Sequence, residues 1–188
     1  MPRTLRHGQP ADCDALYQLE ERCFEGDRFS RRQLAHLLTR ANAANLLAVT
    51  SQPAAGEKLA DDKPVDNRSV EHQTGETSHE RERVIGYGTL LFRRNSVTAR
   101  LYSFCVDPEA RGTGLGRELL EALEAIARER GSQRLLLEVR ADNRVAMGLY
   151  RRMGFMARRW LDDYYADGCA AWQMDKRLDA LPASEPQS

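Results

Sequence analysis

The sequence predicts a single α/β (α+β) domain with a central sheet and flanking helices. Three observations lead there. β-rich apolar runs alternate with stretches of helical periodicity along a chain of 188 residues. Hydrophobic residues make up 41% of it, enough to furnish one core. The run RLLLEVR (Arg134 to Arg140) is apolar almost throughout, as expected of a strand buried on both faces beside a parallel neighbour.

The elements follow in order. Arg3 to His7 reads as a short first strand. Pro10 and Asp12 introduce a helix in which Leu16, Leu19 and Cys23 recur at helical spacing, with Asp12 as the expected N-cap. Ser30 followed by Gln33 has the form of a capping box, and Leu34, Leu37 and Leu38 supply the stripe of a second helix. Asn45 to Ser51 reads as a strand. Residues 52–82 contain Leu59, Val65 and Val70 as their only large apolar side chains, so this stretch is expected to be a disordered surface insertion without a core of its own. His72 and His79 fall inside it and are expected to be solvated.

Val84 to Phe92 and Ala99 to Pro108 are two β-rich runs around the turn-like RRNSVT, a predicted hairpin that ends where Pro108 removes a backbone donor. Leu119, Leu120, Leu123, Ile126 and Ala127 mark one face of a helix, with Arg128, Arg130 and then Gly131 where cations and a C-cap glycine belong. After the Arg134 to Arg140 strand, Asn143 opens a helix bearing Ala146, Leu149 and Met153, stopped by Gly154. FMARRWLDDYY (Phe155 to Tyr165) and AAWQMDKRL (Ala170 to Leu178) read as a closing antiparallel pair around Ala166-Asp167-Gly168. One domain over residues 1–180, followed by a flexible tail at 181–188, is the expected organisation.

Composition excludes several classes of function. Twenty-eight basic residues balance 28 acidic ones, so no global field draws the chain to nucleic acid or to an anionic membrane. No apolar run reaches the roughly 18 residues a membrane span needs, and the first residues lack the apolar stretch of a secretory signal. A cytoplasmic protein is expected. Cys13, Cys23, Cys105 and Cys169 lie far apart with no His at ligand spacing, which favours reduced thiols and no metal site.

The chemistry concentrates after Asp107. In EARGTGLGRELL, Gly112, Gly114 and Gly116 alternate just before a helix, whose first N–H groups have no internal partner. Such a junction suits a phosphate or diphosphate. The Gly-Lys-Ser/Thr of a P-loop is missing, and Arg117 stands where a dinucleotide fingerprint needs glycine or alanine. Alone, the loop reads equally well as a plain glycine turn.

It does not stand alone. Arg111-Gly112-Thr113-Gly114-Leu115-Gly116 resembles the Arg/Gln-x-x-Gly-x-Gly/Ala signature of the GNAT (GCN5-related) N-acetyltransferases, in its usual place after a strand ending Val-Asp-Pro. LEVRADNRVAMGLYRRMGF is similar to the corresponding stretch of the RimI-type ribosomal-protein alanine N-acetyltransferases. The resemblance covers Tyr102 to about Leu178 well and the first fifty residues only in outline.

The resemblance implies a mixed sheet in which the strands at 99–107 and 134–140 run parallel and splay apart, with acetyl-CoA as cosubstrate wedged between them and no metal. It implies that main-chain groups of Phe104, Cys105 and Val106 pair with the pantetheine arm. The cradle Arg111, Gly112, Thr113, Gly114, Leu115, Gly116 and Arg117 would hold the diphosphate, and Asn143 would contact the cofactor, a role compatible with helix capping. Glu138 matches the family's catalytic glutamate. Its apolar neighbours Leu136, Leu137 and Val139 lead one to expect desolvation to push its carboxyl toward neutrality. The plainer alternative is a salt bridge to Arg140 or another arginine. Tyr150 matches the tyrosine that protonates the departing thiolate, and could equally be a core aromatic. Tyr164 and Tyr165, read as strand residues, could line an acceptor groove or simply pack. Cys105 is expected to be an inert packing thiol.

The expected activity is direct acetyl transfer to an amine, first of all the N-terminal α-amino group of a protein or peptide, a ribosomal protein among the candidates. Transfer to a small-molecule amine and a non-catalytic acyl-CoA-binding module remain as alternatives. CFEGDRFSRRQL, after the first helix, lacks the Phe-Pro-Trp sequence associated with the ribosomal-protein enzymes, and leaves the acceptor open. The oligomeric state is also open.

Overall fold

The structure, a computed structural model, describes residues 3–24, 26–40, 42–52 and 81–178. Among these residues, seven strands form one sheet in the order β1-β2-β3-β4-β5-β7-β6. They are β1 (Arg3–His7), β2 (Ala43–Gln52), β3 (Arg81–Phe92), β4 (Thr98–Val106), β5 (Arg134–Arg140), β6 (Met156–Leu161) and β7 (Ala171–Arg177). Every neighbouring pair is antiparallel except β4 and β5. Among the described residues the α-helices are α1 (Cys13–Cys23), α2 (Arg31–Thr39), α3 (Leu115–Glu129) and α4 (Arg144–Arg152). The sheet is thus mixed and carries helices on both faces, as expected.

The alternation of side chains along β2 divides the core in two. Leu46 joins Leu119, Leu120, Leu123, Leu135, Leu137 and Tyr150 beneath α3 and α4. Leu47 and Val49 join Leu16, Leu19, Leu34 and Tyr87 beneath α1 and α2. α3 lies so close to β3 that a Cβ on Gly88 would run into Leu123 Cδ1, so a larger residue there would force the buried Leu123 side chain to move. The first helix differs from expectation at its start. Asp12 occupies the N-cap position of α1 but caps nothing there. Its carboxylate accepts instead from the Gln9 N–H and pairs with Arg6, closing a short 3-10 turn at Pro10–Asp12. Ser30 and Gln33 do form the predicted capping box on α2.

The break in the sheet matters most for function. Thr89 pairs with Ser103 and Leu90 with Leu101, which leaves Tyr102 as an extra residue on β4. This bulge puts Leu101 and Phe104 on the α3 face while Cys105 faces α1, and it bends the strand. The parallel pairing with β5 runs only from Thr98–Arg134 to Leu101–Leu137 and stops at the bulge. Beyond it the strands part.

Of the expected insertion at 52–82, Gln52, Arg81 and Glu82 belong to β2 and β3, which pair there. The rest, and the expected tail at 181–188, lie outside the described residues. No helix among the described residues is long and apolar enough to cross a membrane.

Candidate active site

A cleft of about 1180 Å³ opens where β4 and β5 part. Phe104, Cys105 and Val106 of β4 line one side of it. Their inner edge is paired with β3, through Gly88, Tyr87 and Gly86, and among the described residues no strand lies along the other edge. A free strand edge presents unpaired N–H and C=O groups that an extended amide-bearing ligand can use.

The glycine loop lines the same cleft through Arg111, Gly112, Gly114, Gly116 and Arg117. Gly112 (φ 76°) and Gly114 (φ 84°) adopt the left-handed conformation, and a Cβ on either would meet nothing within 4 Å. The backbone here is therefore open to close approach. Gly114 is the N-cap of α3 and offers no side-chain cap, so the first helical N–H groups are left for a ligand. The residues present fit a diphosphate held by main-chain amides. Thr113 and Leu115 fall outside the walls: Thr113 Oγ1 donates to the Ala110 carbonyl, and Leu115 is buried.

The strand before the loop is anchored by Asp107, whose carboxylate is about 1% exposed. It accepts from Arg22, Arg83 and the Glu109 N–H. Burial acts to raise its carboxyl, but these donors outweigh it and hold the group below the usual carboxylate range. Asn143 lines the opposite wall, and its Oδ1 accepts from the Ala146 N–H at 3.0 Å, so it is an N-cap within the cleft.

Glu138 is the first β5 residue past the last β4 pair, on the face toward α1 and α2. It is not the lone carboxylate among apolar neighbours that its strand suggested. Arg100 donates to Oε2 through Nε at 2.8 Å, and Gln173 donates to Oε1 at 3.1 Å. The alternative expectation, an arginine salt bridge, is thus realised, with Arg100 rather than Arg140. Arg140 is drawn away by Asp27, Asp142 and Asp167, tying the α1–α2 loop to the β6–β7 loop. Arg100 also donates to the Tyr164 hydroxyl at 2.9 Å.

Tyr150 projects from α4 between Phe104 and Phe155, with ring centroids 6.1 and 5.6 Å away. Burial pushes its phenol well up, with Tyr165 and Cys105 adding to the effect. Tyr165 is pushed up to about 12, first by burial, then by Tyr164 and Asp27, and also by Glu138, with Arg140 opposing. It therefore sits within electrostatic reach of both Glu138 and Tyr150, although neither of those lines the cleft proper. Contrary to expectation, Tyr164 and Tyr165 are not strand residues: β6 ends at Leu161, and Asp163 turns the chain with φ 48° into a loop that packs the two rings edge to face.

Cys105 is buried, and burial raises its thiol well above its ordinary value, the direction opposite to what a nucleophile needs. Cys23 lines the cleft beside it. A hydrogen bond with Cys105 and the charge of Arg111 hold its thiol below the ordinary value against the effect of burial. Among the described residues no cluster of three or more His, Cys, Asp or Glu could hold a metal ion.

Sequence reasoning missed Arg100 and Gln173, the partners of Glu138. A cation inside an otherwise apolar strand was the available sign for Arg100. Cys23, Phe24 and Asp27, brought to the cleft from the end of α1 and the loop after it, belong to the CFEGDRFSRRQL stretch that the sequence tied to the acceptor without singling out these residues.

Residues 14–155, more than half of the chain, match the model of the Acetyltransferase (GNAT) family. The [ribosomal protein bS18]-alanine N-acetyltransferase of Escherichia coli K12 is 41% identical over 88 residues, 46% of this chain and 57% of that protein. An uncharacterized protein of Mycobacterium leprae is 32% identical over 170 residues, 88% of this chain and 38% of that one. The chain thus spans little more than half the length of the first of these relatives, and less of the second. The crystal structure of the Escherichia coli ribosomal-protein-S18-alanine N-acetyltransferase superposes with a TM-score of 0.69 at 23% identity, covering 97% of both chains. With a parted parallel strand pair, a glycine cradle at the head of α3 and a family match spanning both, the chain belongs to the GNAT acetyltransferase family.

Proposed function

We propose that the protein is an N-acetyltransferase that moves an acetyl group from acetyl-CoA directly to an amine, the N-terminal α-amino group of a protein or peptide. The observation that carries this reading is the parting of β4 and β5 at Leu101 and Leu137, with Glu138 as the first residue past the split. The names of the relatives in the family support a protein acceptor.

When bound, acetyl-CoA supplies the activated acetyl group as a thioester. The free edge of Phe104 to Val106 would pair with its pantetheine amides, and the amides of Gly112 to Arg117 would receive its diphosphate. Asn143 fixes the first turn of α4 against the cleft. An acceptor amine arrives mostly as ammonium and must lose a proton, which Glu138 takes at a carboxylate oxygen. Arg100 and Gln173 orient that carboxylate from two sides. Tyr150, kept protonated by burial, would be the residue that donates from its Oη to the departing sulfur. Cys105 takes no part as an acyl carrier, because its thiol is raised rather than activated.

An α-amino group titrates about 2 to 3 pH units below a lysine side chain, so much more of it is neutral at working pH and a single glutamate can complete its deprotonation. Matched peptides test the reading: one with a free N-terminus and blocked lysines, the other the reverse. Faster acetylation of the first is expected. Faster acetylation of the second would overturn the α-amine assignment, and turnover of a small amine with neither peptide would assign a metabolite acceptor.

A further inference from the structure

Part of the cleft lies between α3 and α4. Gly116, Arg117 and Glu121 border it from α3, and Leu149, Arg152 and Met153 from α4. The helices touch at its head, where a Cβ on Gly116 would lie 3.3 Å from Leu149 Cδ2. Arg152 is three residues beyond Leu149 and so shares its helix face.

Among the described residues, Arg111, Arg117, Arg140, Arg152 and Lys176 are the cations that line the cleft. Four of them are engaged. Arg111 donates to the Val106 carbonyl at 3.2 Å and Arg117 to Glu121 at 2.8 Å. Arg140 is shared by three aspartates, and Lys176 donates to Glu124 at 2.6 Å. Arg152 makes no hydrogen bond or ion pair with any described residue. It is nevertheless not extended into solvent: its Nη1 lies 3.3 Å from where a Cβ on Gly148 would stand, so the guanidinium is folded back along α4. A glycine at 148 leaves room for that conformation.

We propose that Arg152 is the anchor for the ribose 3′-phosphate of coenzyme A, which makes the protein select coenzyme A over its dephospho form. The proposal rests on the cofactor reading above. Coenzyme A carries two anionic groups separated by a ribose. The glycine cradle at the head of α3 answers the diphosphate with main-chain amides and leaves the second, dianionic group to be matched on the facing wall. Arg152 is the uncompensated cation there, and a guanidinium fork donates to phosphate in a bidentate way that a point charge does not. Arg117 is the weaker candidate, because Glu121 already cancels its charge.

Isothermal titration of the full chain with coenzyme A and with dephospho-coenzyme A, for wild type, Arg152→Ala and Arg152→Lys, tests the proposal. Wild type is expected to bind coenzyme A about 10-fold tighter or more. Arg152→Ala should bind the two ligands equally, with its dephospho-coenzyme A affinity unchanged, and Arg152→Lys should recover part of the preference. Because the residue is exposed, ligand-free melting of the variants should match wild type and verify folding. Equal binding of the two ligands by wild type would overturn the proposal alone, as would a full preference kept by Arg152→Ala. Failure of wild type to bind either ligand would overturn it together with the cofactor reading.

Discussion

Gly114 separates the cost of the glycine cradle to the fold from its value to the ligand. The residue adopts φ 84° and ψ −5° at the head of α3, and nothing lies within 4 Å of where its Cβ would be. Gly114→Ala therefore meets no clash, and its cost is that of a left-handed backbone for an L-residue, about 1–2 kcal/mol. For a chain of this size that lowers the melting temperature by about 2–8 °C. Gly114→Trp carries the same backbone cost and in addition puts an indole into the space beside Gly112 and Gly116. Acetyl-CoA at a hundred times its Kd stabilises wild type by about 2.7 kcal/mol, an upward shift of about 5–11 °C. Differential scanning fluorimetry with and without acetyl-CoA reads both effects. Both variants should melt below wild type without ligand, and Gly114→Trp should lose the upward shift. A Trp variant that keeps the full shift would mean the cofactor lies elsewhere, and an unshifted ligand-free Ala variant would refute the strained cap.

Three further perturbations probe the chemistry and the buried charges. Glu138→Gln keeps a side chain of the same shape opposite Gln173 and should lower kcat by about 100- to 10,000-fold with acetyl-CoA affinity little changed; near wild-type turnover would assign the base elsewhere. Tyr150→Phe should lower kcat by about 10- to 1000-fold, again with little change in affinity, and an unchanged kcat would reduce Tyr150 to a packing aromatic. Glu20, buried in α1, accepts from Tyr87 and the Phe29 N–H, and burial outweighs these donors and raises its carboxyl. Because the folded state binds this proton more tightly than the unfolded one, its contribution is fully present at low pH and is lost as pH rises from the ordinary carboxylate range through the folded value. The melting temperature of Glu20→Gln relative to wild type should therefore rise with pH over that window, and a constant difference would contradict the raised carboxyl.

What could be read from the sequence was what repeats locally. The stripe from Leu119 to Ala127, the Ser30–Gln33 box, the apolar run of β5 and the stops at Gly131 and Gly154 all depend on residues a few positions apart, and each stands where spacing put it. The glycine cradle was legible for the same reason. What escaped depends on partners distant in the chain. Nothing near Tyr102 marks it as the bulge that ends the β4–β5 ladder; that follows from its register against Thr89 and Leu90. Glu138 was expected among apolar neighbours because only its own strand was visible, whereas Arg100 and Gln173 reach it from β4 and β7. Asp12 had a closer partner in Arg6 than the helix it was expected to cap. The ends of β2 and β3 extend into polar residues because backbone pairing there needs no apolar side chain.

Mass spectrometry of N-terminal peptides from cells with and without the protein tests the proposed acetylation of protein N-termini. A defined set of N-termini is expected to be acetylated only when the protein is present, and to lose the modification when Glu138→Gln replaces wild type. An identical set of acetylated N-termini with wild type, with the variant and without the protein would contradict it.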